Sequence, residues 1–399
     1  MKELKRVPKL RFSEFSDVWR SHLVNEVCKI NPKSNNLPDS FIYVDLESVT
    51  DGVLLSENRI FKNEAPSRAQ RLLKKNDILY QTVRPYQKNN LFFDRNETDF
   101  VASTGYAQIR TNEIPKFLFQ YLLTERFVNK ILLKCTGTSY PSINTSDLGN
   151  TEINVPQISE QQKIASFLSS VDKKIAQLQQ KKSLLEHYKK GVMQQLFSQQ
   201  LRFQDDNGNT YPDWEEKKLG DITNYYDGTH QTPKYVKEGV PFYSVEHVTA
   251  NQFESTKFIS EEVFERENKR VKLEKGDILM TRIGSIGKAR YIDWDVRASF
   301  YVSLALIKNN PSFSGKYLSQ YINATPFQRE LWKRIIHVAF PQKINLGELG
   351  KCIVKLPAIE EQTKIANFLS AIDKKIELVN TQIENTQQFK KGLLQQMFV

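Results

Sequence analysis

Residues Val155–Phe197 read VPQISEQQKIASFLSSVDKKIAQLQQKKSLLEHYKKGVMQQLF, and residues Leu356–Phe398 read LPAIEEQTKIANFLSAIDKKIELVNTQIENTQQFKKGLLQQMF. The two stretches align without a gap at an offset of 201 residues, and about 20 of the 43 positions are identical. Such long-range self-similarity identifies an internal repeat whose copies fold in the same way. The chain is therefore a variable block, a shared block, a second variable block and a second shared block.

Both shared blocks predict long helices. Apolar residues recur at alternating steps of four and three residues, from Ile164 to Leu196 in the first copy and from Ile365 to Met397 in the second. A 3.5-residue repeat over about five heptads is typical of a coiled-coil seam. We therefore expect the two helices to pair with each other as an antiparallel coiled coil.

Two features of the shared blocks leave alternatives open. Conspicuous polar residues, mostly off the seam, form either a solvated face or, since they recur, two equivalent docking sites; they are Gln161, Asp172, Lys173, Lys174, Gln194, Gln195 and their counterparts in the second copy. Gly191 and Gly392 interrupt both helices at matching positions, at a cost of about 1 kcal/mol each relative to Ala. Each glycine marks either the close approach of another chain or a soft point near a fraying end.

The variable blocks predict an α+β fold. They carry short β-rich runs (FIYVDL, DILYQTV, LFFD, VPFYSV, DILMTRI and YVSLALI) separated by Asn, Gly, Pro and Asp, and then one helix each, PKFLFQYLLTERFVNKIL or GKYLSQYINATPFQRELWKRII. The predicted division is a globular domain over residues 1–154, a long helix over 155–199, a second globular domain over 200–355 and a second long helix over 356–399.

Weaker echoes extend the repeat into the variable blocks. KKNDILY, from Lys74, resembles EKGDILM, from Glu274. The tripeptide LRF occurs at Leu10 and again at Leu201, and each copy is followed by a tryptophan. These echoes predict a pseudo-twofold internal repeat that covers the whole chain.

The charge balance suggests an anionic partner. There are 57 Lys and Arg residues against 46 Asp and Glu residues, a net charge of +11 with a pI near 9.2. Such an excess is typical of proteins that bind nucleic acid, anionic membranes or acidic partners. No run approaches the ~20 apolar residues of a membrane span, and the N-terminus lacks the apolar core of a secretory signal. The three cysteines are far apart, so we expect a reducing, cytoplasmic location and no disulfides.

No catalytic motif stands out. The five histidines are scattered, which makes a zinc site improbable, and neither GxGxxG nor GxxxxGK[ST] occurs in the required context. The Asn-Pro-Pro-aromatic tetrapeptide of amino-methyltransferases is absent. The carboxylates between Pro212 and Lys217 are too close together for strands to converge them into a nuclease site. We therefore predict no enzymatic activity, no cofactor and no metal for this chain.

Polar, basic loops are the candidate binding segments. Gly284–Gly287 follows a predicted strand and is flanked by cations, so its backbone amides could approach a phosphate; the equivalent segment of the first block is Thr82–Lys88. Two further loops, Thr136–Asn144 and Asp227–Tyr235, mix hydroxyls, amides, aromatic rings and a cation. Such side chains can read base edges, although they also occur in ordinary turns.

The whole arrangement resembles the specificity subunit of Type I restriction–modification enzymes. The resemblance rests on Pro-x-x-x-Glu-Gln-x-Lys-Ile-Ala at Pro156 and again at Pro357, each followed by Leu-Ser-x-x-Asp-Lys-Lys-Ile and then Lys-Lys-Gly. DILYQTVRPYQKN and GDILMTRIGSIGK also look like segments of that family's target recognition domains. The match extends over essentially the full length.

The resemblance implies a division of labour. Each variable block would be a target recognition domain that reads one half of a split double-stranded DNA target, and the paired helices would set the unread gap. The helices would also dock two methyltransferase subunits, which bind S-adenosylmethionine. Two restriction subunits that translocate DNA, using ATP and Mg²⁺, would complete the complex. This chain would itself be a non-catalytic subunit.

On this basis we predict DNA contacts in both domains. The candidates in the first are Arg84, Lys88, Ser139, Tyr140 and Asn144, and those in the second are His230, Gln231, Lys234, Arg282, Ser285 and Lys288. Because the candidate loops differ between the domains, we expect an asymmetric target.

Two other classes of function remain open at this stage. The first is a self-contained nuclease or methyltransferase with a diverged active site, against which the missing motifs count. The second is a coiled-coil scaffold with no role in DNA binding, which the basic, loop-rich globular domains fit poorly.

Overall fold

The computed structural model describes residues 7–34 and 36–399. The chain divides into two compact units: the first contains the residues up to Gln180 together with Asn380–Val399, and the second contains Lys181–Val379. Each unit therefore holds one variable block, the beginning of one shared block and the end of the other. The predicted four-segment division follows the repeat instead, and it stays a prediction. Within the described ranges, no helix is both long and apolar enough to span a membrane.

The first unit is built on two four-stranded sheets. Its strands are β1 (Arg20–Leu23), β2 (Cys28–Ile30), β3 (Ser40–Val44), β4 (Val49–Thr50), β5 (Val53–Leu54), β6 (Arg59–Phe61), β7 (Ala69–Leu72), β8 (Asp77–Gln81), β9 (Leu91–Phe93), β10 (Phe100–Ser103), β11 (Tyr106–Thr111) and β12 (Glu152–Val155). The sheet orders are β6-β3-β10-β7 and β2-β11-β8-β9, with β1 paired to β12 and β4 to β5. Strands β3 and β10 are parallel, and the other neighbours are antiparallel.

The second unit repeats this plan with fewer strands. They are β13 (Glu215–Lys218), β14 (Tyr225–Asp227), β15 (Val240–Tyr243), β16 (Lys257–Ile259), β17 (Ile278–Thr281), β18 (Ala289–Tyr291), β19 (Ser299–Phe300), β20 (Leu304–Ile307) and β21 (Ile353–Leu356). The orders are β14-β20-β17-β18 and β16-β15-β19, with β13 paired to β21. The pair β15–β19 is parallel, like its counterpart in the first unit. The predicted α+β class and internal repeat are confirmed.

Most of the helices also recur in matching places. They are α1 (Val24–Val27), α2 (Pro115–Leu122), α3 (Glu125–Leu132), α4 (Thr145–Gly149), α5 (Ile158–Phe197), α6 (Leu219–Ile222), α7 (Val245–Ala250), α8 (Glu261–Asn268), α9 (Gly315–Ile322), α10 (Thr325–Trp332), α11 (Leu346–Gly350) and α12 (Ile359–Gln396). The long helices α5 and α12 contain 40 and 38 residues. The shared blocks are thus the long helices that their periodicity predicts.

Each helix predicted inside a variable block is in fact two helices. In the first unit the break falls at Thr124, whose hydroxyl accepts a hydrogen bond from the Phe127 amide and so caps α3. In the second unit Pro326 lies in the first turn of α10, where a residue without an amide hydrogen is tolerated. The prediction of one continuous helix was wrong because apolar periodicity continues across a break, which is marked by a capping threonine in the first unit and by a proline in the first turn of α10 in the second.

Strand β8 lies between two cores. All five of its residues are buried; Ile78 and Tyr80 pack in the cluster that contains the long-helix residues, whereas Leu79 packs in a second cluster. Alternate side chains of a strand point to opposite faces, so a strand covered on both sides can carry apolar residues at consecutive positions, as Ile78, Leu79 and Tyr80 do. Strand β17 follows the same rule with Ile278, Met280 and Leu279.

Aromatic contacts pack the last residue of each shared block against a hydrophobic core. In the first unit, the Phe398 ring lies 5.5 Å from Phe117 and 5.6 Å from Tyr121. In the second unit, Phe197 lies 5.9 Å from Tyr317 and 5.3 Å from Tyr321. The ending of each shared block is therefore part of a hydrophobic core, which explains why Phe recurs there.

Polar contacts within each unit join α5 to α12. Lys390 pairs with Asp172 in the first unit, and Lys189 pairs with Asp373 in the second. The paired residue of α5 moves from position 172 to position 189 as its partner on α12 moves back from 390 to 373. Antiparallel pairing requires this order. A continuous coiled-coil seam stays a prediction.

Candidate nucleic-acid interface

In the first unit, the two predicted binding segments lie side by side. The Arg84 amide donates to the Pro141 carbonyl at 2.7 Å, and the Ile143 amide donates to the Thr82 carbonyl at 3.0 Å. The chain leaving β8 is thus hydrogen-bonded to the loop that follows α3. Thr82–Lys88 and Thr136–Asn144 are far apart in sequence, but together they form one edge of the first unit.

Arg84 and Tyr140 form the centre of this edge. The guanidinium carbon of Arg84 lies 4.1 Å from the centroid of the Tyr140 ring, and that tyrosine is 64% exposed. Arg84 has a positive φ of 54°, an uncommon conformation for a residue other than glycine. The guanidinium can bind a phosphate, and the exposed ring can stack on a base. A cation stacked on a ring therefore offers contacts to both parts of a nucleic acid.

The other candidates of the first unit differ in how they are engaged. Ser139 is exposed. Lys88 donates to Glu125 at 2.6 Å, so binding a phosphate would require it to leave this partner. Asn144 caps α4, since its side-chain oxygen accepts from the Asp147 amide at 2.8 Å. Its amide nitrogen donates to the Asp147 carboxylate, so a structural role competes with the predicted DNA contact.

The second unit joins the equivalent segments in the same way. The Gly284 amide donates to the Gln342 carbonyl at 2.8 Å, and the Ile344 amide donates to the Arg282 carbonyl at 3.0 Å. The segment after β17 is therefore paired with the loop after α10. That loop was not among the predicted contacts, although its position 201 residues after Thr136–Asn144 was a signal for it.

Arg282 is buried, in contrast to the expectation of a phosphate contact. Its side chain is 10% exposed, and it donates to the Val302 carbonyl at 2.8 Å and the Ile344 carbonyl at 3.3 Å. Burial lowers the pKa of this guanidinium from its ordinary value, while Asp227 at 3.9 Å acts in the opposite direction. The geometry favours a positioning role, in which Arg282 holds two loops together.

Ser285 and Lys288 remain available at the same edge. Both are exposed. The turn between them requires a glycine, because Gly287 has a φ of 86° and an added Cβ would lie 2.7 Å from Gln328 and Leu331. Lys288 also lines an open groove with Lys189 and Asp373, within the second unit.

His230, Gln231 and Lys234 are exposed on a loop that Asp227 organises. His230 Nε2 lies 2.8 Å from the Asp227 carboxylate, and Arg270 Nη1 donates to it at 2.7 Å. Burial acts to raise the pKa of Asp227, but the hydrogen bond from Arg270 and the charge of His230 outweigh it, so the pKa is lowered. Asp227 also lies near Arg282, which brings this loop to the edge described above.

A buried ion pair links each variable block to its long helix, and sequence reasoning missed it. In the first unit, Arg11 donates to both carboxylate oxygens of Glu160 at 2.8 and 2.7 Å, and Trp19 Nε1 donates to the same group at 3.3 Å. In the second unit, Arg202 and Trp214 bind Glu361 in the same way. The repeated LRF tripeptide and the following tryptophan were the signal.

Two of the polar positions considered for partner docking are used inside the chain. Gln161 is buried; its amide nitrogen donates to the Pro156 carbonyl, and its oxygen accepts from the Ile114 amide. Asp172 accepts from Gln120 and Lys390. Their counterparts, Gln362 and Asp373, are engaged alike. The exposed members of that set are Lys173, Lys174, Gln194, Gln195, Lys374, Lys375, Gln395 and Gln396.

Among residues 7–34 and 36–399, no group of three or more His, Cys, Asp or Glu side chains is placed to hold a metal ion. Burial raises the pKa of Cys28 and of Cys352 to about 12. These two thiols are therefore poor nucleophiles at neutral pH, because the thiolate is the reactive form.

The chain is similar to specificity subunits over most of its length. It is 26% identical over 293 residues to the type I restriction enzyme MjaVIII specificity subunit of Methanocaldococcus jannaschii, which covers 70% of this chain and 68% of the relative. It is 23% identical over 292 residues to the EcoBI specificity subunit of Escherichia coli, which covers 67% of this chain and 61% of that relative.

A solved structure has the same fold. The type I restriction–modification system S subunit from M. genitalium superposes with a TM-score of 0.63 at 18% identity, covering 98% of this chain and 99% of the other. The family model of the type I restriction modification DNA specificity domain matches residues 16–187 and again residues 211–387. With one match in each half and most of its length covered, the chain belongs to the type I restriction modification DNA specificity domain family.

Proposed function

We propose that this chain is the DNA-specificity subunit of a type I restriction–modification complex and that each unit reads one half of a split, asymmetric target. One observation carries the proposal: the sheets that contain β8 and β17 have the same strand order in the two units, but the edge beside each strand differs in chemistry. The first presents Arg84 stacked on Tyr140, and the second presents Ser285 and Lys288. A common scaffold with different contact groups is what two different half-sites require.

The net charge of +11 supports the choice of nucleic acid as the ligand. Cations that neutralise phosphates release counterions, which makes binding strongly dependent on salt. The rival proposal, a self-contained nuclease or methyltransferase, gains no support from a metal site, because the described part of the chain holds no group of three or more His, Cys, Asp or Glu side chains placed to bind a metal ion. We also propose a cytoplasmic location, where the free cysteines would stay reduced.

Methylome sequencing tests the readout. Cells that express this chain with its methyltransferase should carry methylated adenines in one split, non-palindromic motif. Exchanging Leu10–Asn154 for the first domain of another family member should change one half of that motif and leave the other intact. A change in both halves, or methylation that does not depend on this chain, would contradict the proposal.

The repeat also supports two docking sites for two methyltransferase subunits. Tyr188 and Phe389 occupy matching positions on α5 and α12 and are 54% and 55% exposed, one in each unit. Exposed aromatic side chains are enriched where proteins bind partners. S-adenosylmethionine would be bound by those partners, and ATP and Mg²⁺ by two restriction subunits.

Native mass spectrometry tests the stoichiometry. At excess methyltransferase, the expected endpoint is two copies per chain; Tyr188→Ser and Phe389→Ser should each reduce it to one, and the double variant to none. Gln177→Ala serves as the control, because Gln177 is an exposed residue of α5 outside the candidate docking positions. A one-to-one endpoint for the unaltered chain would contradict the two-site proposal.

A further inference from the structure

Two apolar side chains project from the loop that follows α10. Among the large apolar side chains that the structure describes, Phe340 and Val338 are the most exposed, at 104% and 95%. Scattered apolar residues are common on protein surfaces. Two at the tip of one loop leave apolar area in water that an occupant could bury.

The loop is held in place from both sides. The Ile336 amide donates to the Lys343 carbonyl at 2.8 Å, which closes the loop on itself. The Gly284 amide donates to Gln342 at 2.8 Å, and the Ile344 amide donates to Arg282 at 3.0 Å. These hydrogen bonds fix the backbone at both ends of the loop. A side chain on such a loop loses little conformational entropy when it is buried against a ligand.

The surroundings of the tip identify the occupant as an anion with an apolar interior. Lys343 and His337 are exposed beside the two apolar residues, and Lys288 lies on the segment to which the loop is paired. Duplex DNA presents phosphates on the outside and stacked bases within. Proteins that bind and kink DNA insert apolar side chains, phenylalanine among them, between two base pairs.

The corresponding loop of the first unit lacks this feature. There, the Thr136 and Ser142 backbones are doubly hydrogen-bonded, and the exposed ring is Tyr140 under the Arg84 guanidinium. A ring that already carries a stacked cation has one face engaged. The apolar tip is therefore specific to the second unit.

We propose that Phe340 is a wedge that partly unstacks one base step of the half-site read by the second unit, with Val338 packing beside it. The proposal rests on the proposed function, since it requires this edge to meet DNA. It adds specificity without hydrogen bonds to bases. Pyrimidine–purine steps unstack at the lowest cost, so a TA or CA/TG step is expected at the wedge position.

Selection from a randomised duplex library tests the wedge, using the full chain in complex with its methyltransferase. The unaltered complex should enrich a pyrimidine–purine step at one position of the second half-site, and Phe340→Ser should relax that position alone. Phe340→Ser should weaken binding of the selected duplex by about tenfold to a hundredfold. The salt slope should not change, because no phosphate contact is lost; Lys288→Ala, in contrast, should reduce it by about one unit.

A fluorescent base reports the unstacking directly. With 2-aminopurine at the selected step, fluorescence should rise on binding of the unaltered complex and of Phe340→Leu, but not of Phe340→Ser. Phe61→Ser is the matched control, because Phe61 is an exposed phenylalanine of the first unit outside every candidate loop. The wedge would be overturned if Phe340→Ser bound DNA as tightly as the unaltered complex and gave the same rise in fluorescence. It would also be overturned if this variant bound DNA normally but lost the methyltransferase. Failure of the unaltered complex to select any sequence would overturn the proposed function as well.

Discussion

Lys390 of α12 lies 2.7 Å from the Asp172 carboxylate of α5, and the counterparts of both residues repeat the contact. Asp172 also accepts from Gln120 of α2, so one carboxylate joins two long helices to the variable block. Lys390 interrupts the apolar repeat of α12, seven residues after Ile383 and three before Leu393, and an aspartate in the same unit pairs with it there. The repeat conserves a three-element junction as well as an apolar pattern.

A double-mutant cycle on Lys390→Ala and Asp172→Ala should give a coupling free energy of about 0.5–1 kcal/mol, the range for a partly exposed pair. Salt screens such pairs, so the coupling should shrink at high ionic strength. Urea denaturation in low and high salt measures it. The cycle on Lys189 and Asp373 should give a similar value, and a coupling near zero in both cycles would contradict the junction.

Removing Arg11 should lower the free energy of unfolding far more than breaking the Lys390–Asp172 pair. Arg11→Ala leaves the fully buried Glu160 without its cation, and breaking a buried pair in this way typically costs about 3–5 kcal/mol. The double variant Arg11→Met with Glu160→Leu should recover most of the free energy of unfolding, because no charge remains buried. A double variant no more stable than Arg11→Ala would show that the ion pair is not the cause. Arg202→Ala should reproduce the loss in the second unit.

Gly191→Ala distinguishes the two interpretations of the helix glycines. A Cβ at Gly191 would meet nothing within 4 Å in this chain, so the free energy of unfolding should rise by about 1 kcal/mol. If the methyltransferase approaches closely there, the same variant should weaken its binding. Calorimetry with and without the partner separates the cases, and Gly392→Ala should behave alike. A loss of stability in the isolated chain would contradict both interpretations.

The contribution of Asp227 should depend on pH with a definite sign. Its pKa in the folded chain is lowered, so its contribution to stability is present above the unfolded pKa of about 3.9 and is lost as pH falls through the folded pKa. Asp227→Asn should therefore lower the free energy of unfolding at pH 6 and change it little at pH values below the folded pKa. Urea denaturation at a series of pH values tests this. An effect of Asp227→Asn that is independent of pH would exclude the carboxylate charge as its source.

The repeat made the long helices and their ends predictable, because periodicity fixes which face of a helix is apolar. It could not identify which distant segment covers a polar position. Gln161 belongs to the repeated polar positions, yet Pro156 and Ile114 engage its amide inside the chain. Arg282 flanks a glycine-rich turn, yet the carbonyls of Val302 and Ile344 surround it. In both cases burial of a polar side chain is decided by its tertiary partners, which local patterns do not encode.

The placement of Glu160 and Glu361 has a consequence for gene exchange. Both acceptors belong to the shared blocks, while the arginine and tryptophan that bind them belong to the variable blocks. A foreign recognition domain inserted between the shared blocks must therefore carry its own arginine and tryptophan at the start. Since the acceptor is the same in both copies, a domain that meets this condition could be inherited at either position. Recombination could then create new DNA specificities without redesigning the attachment.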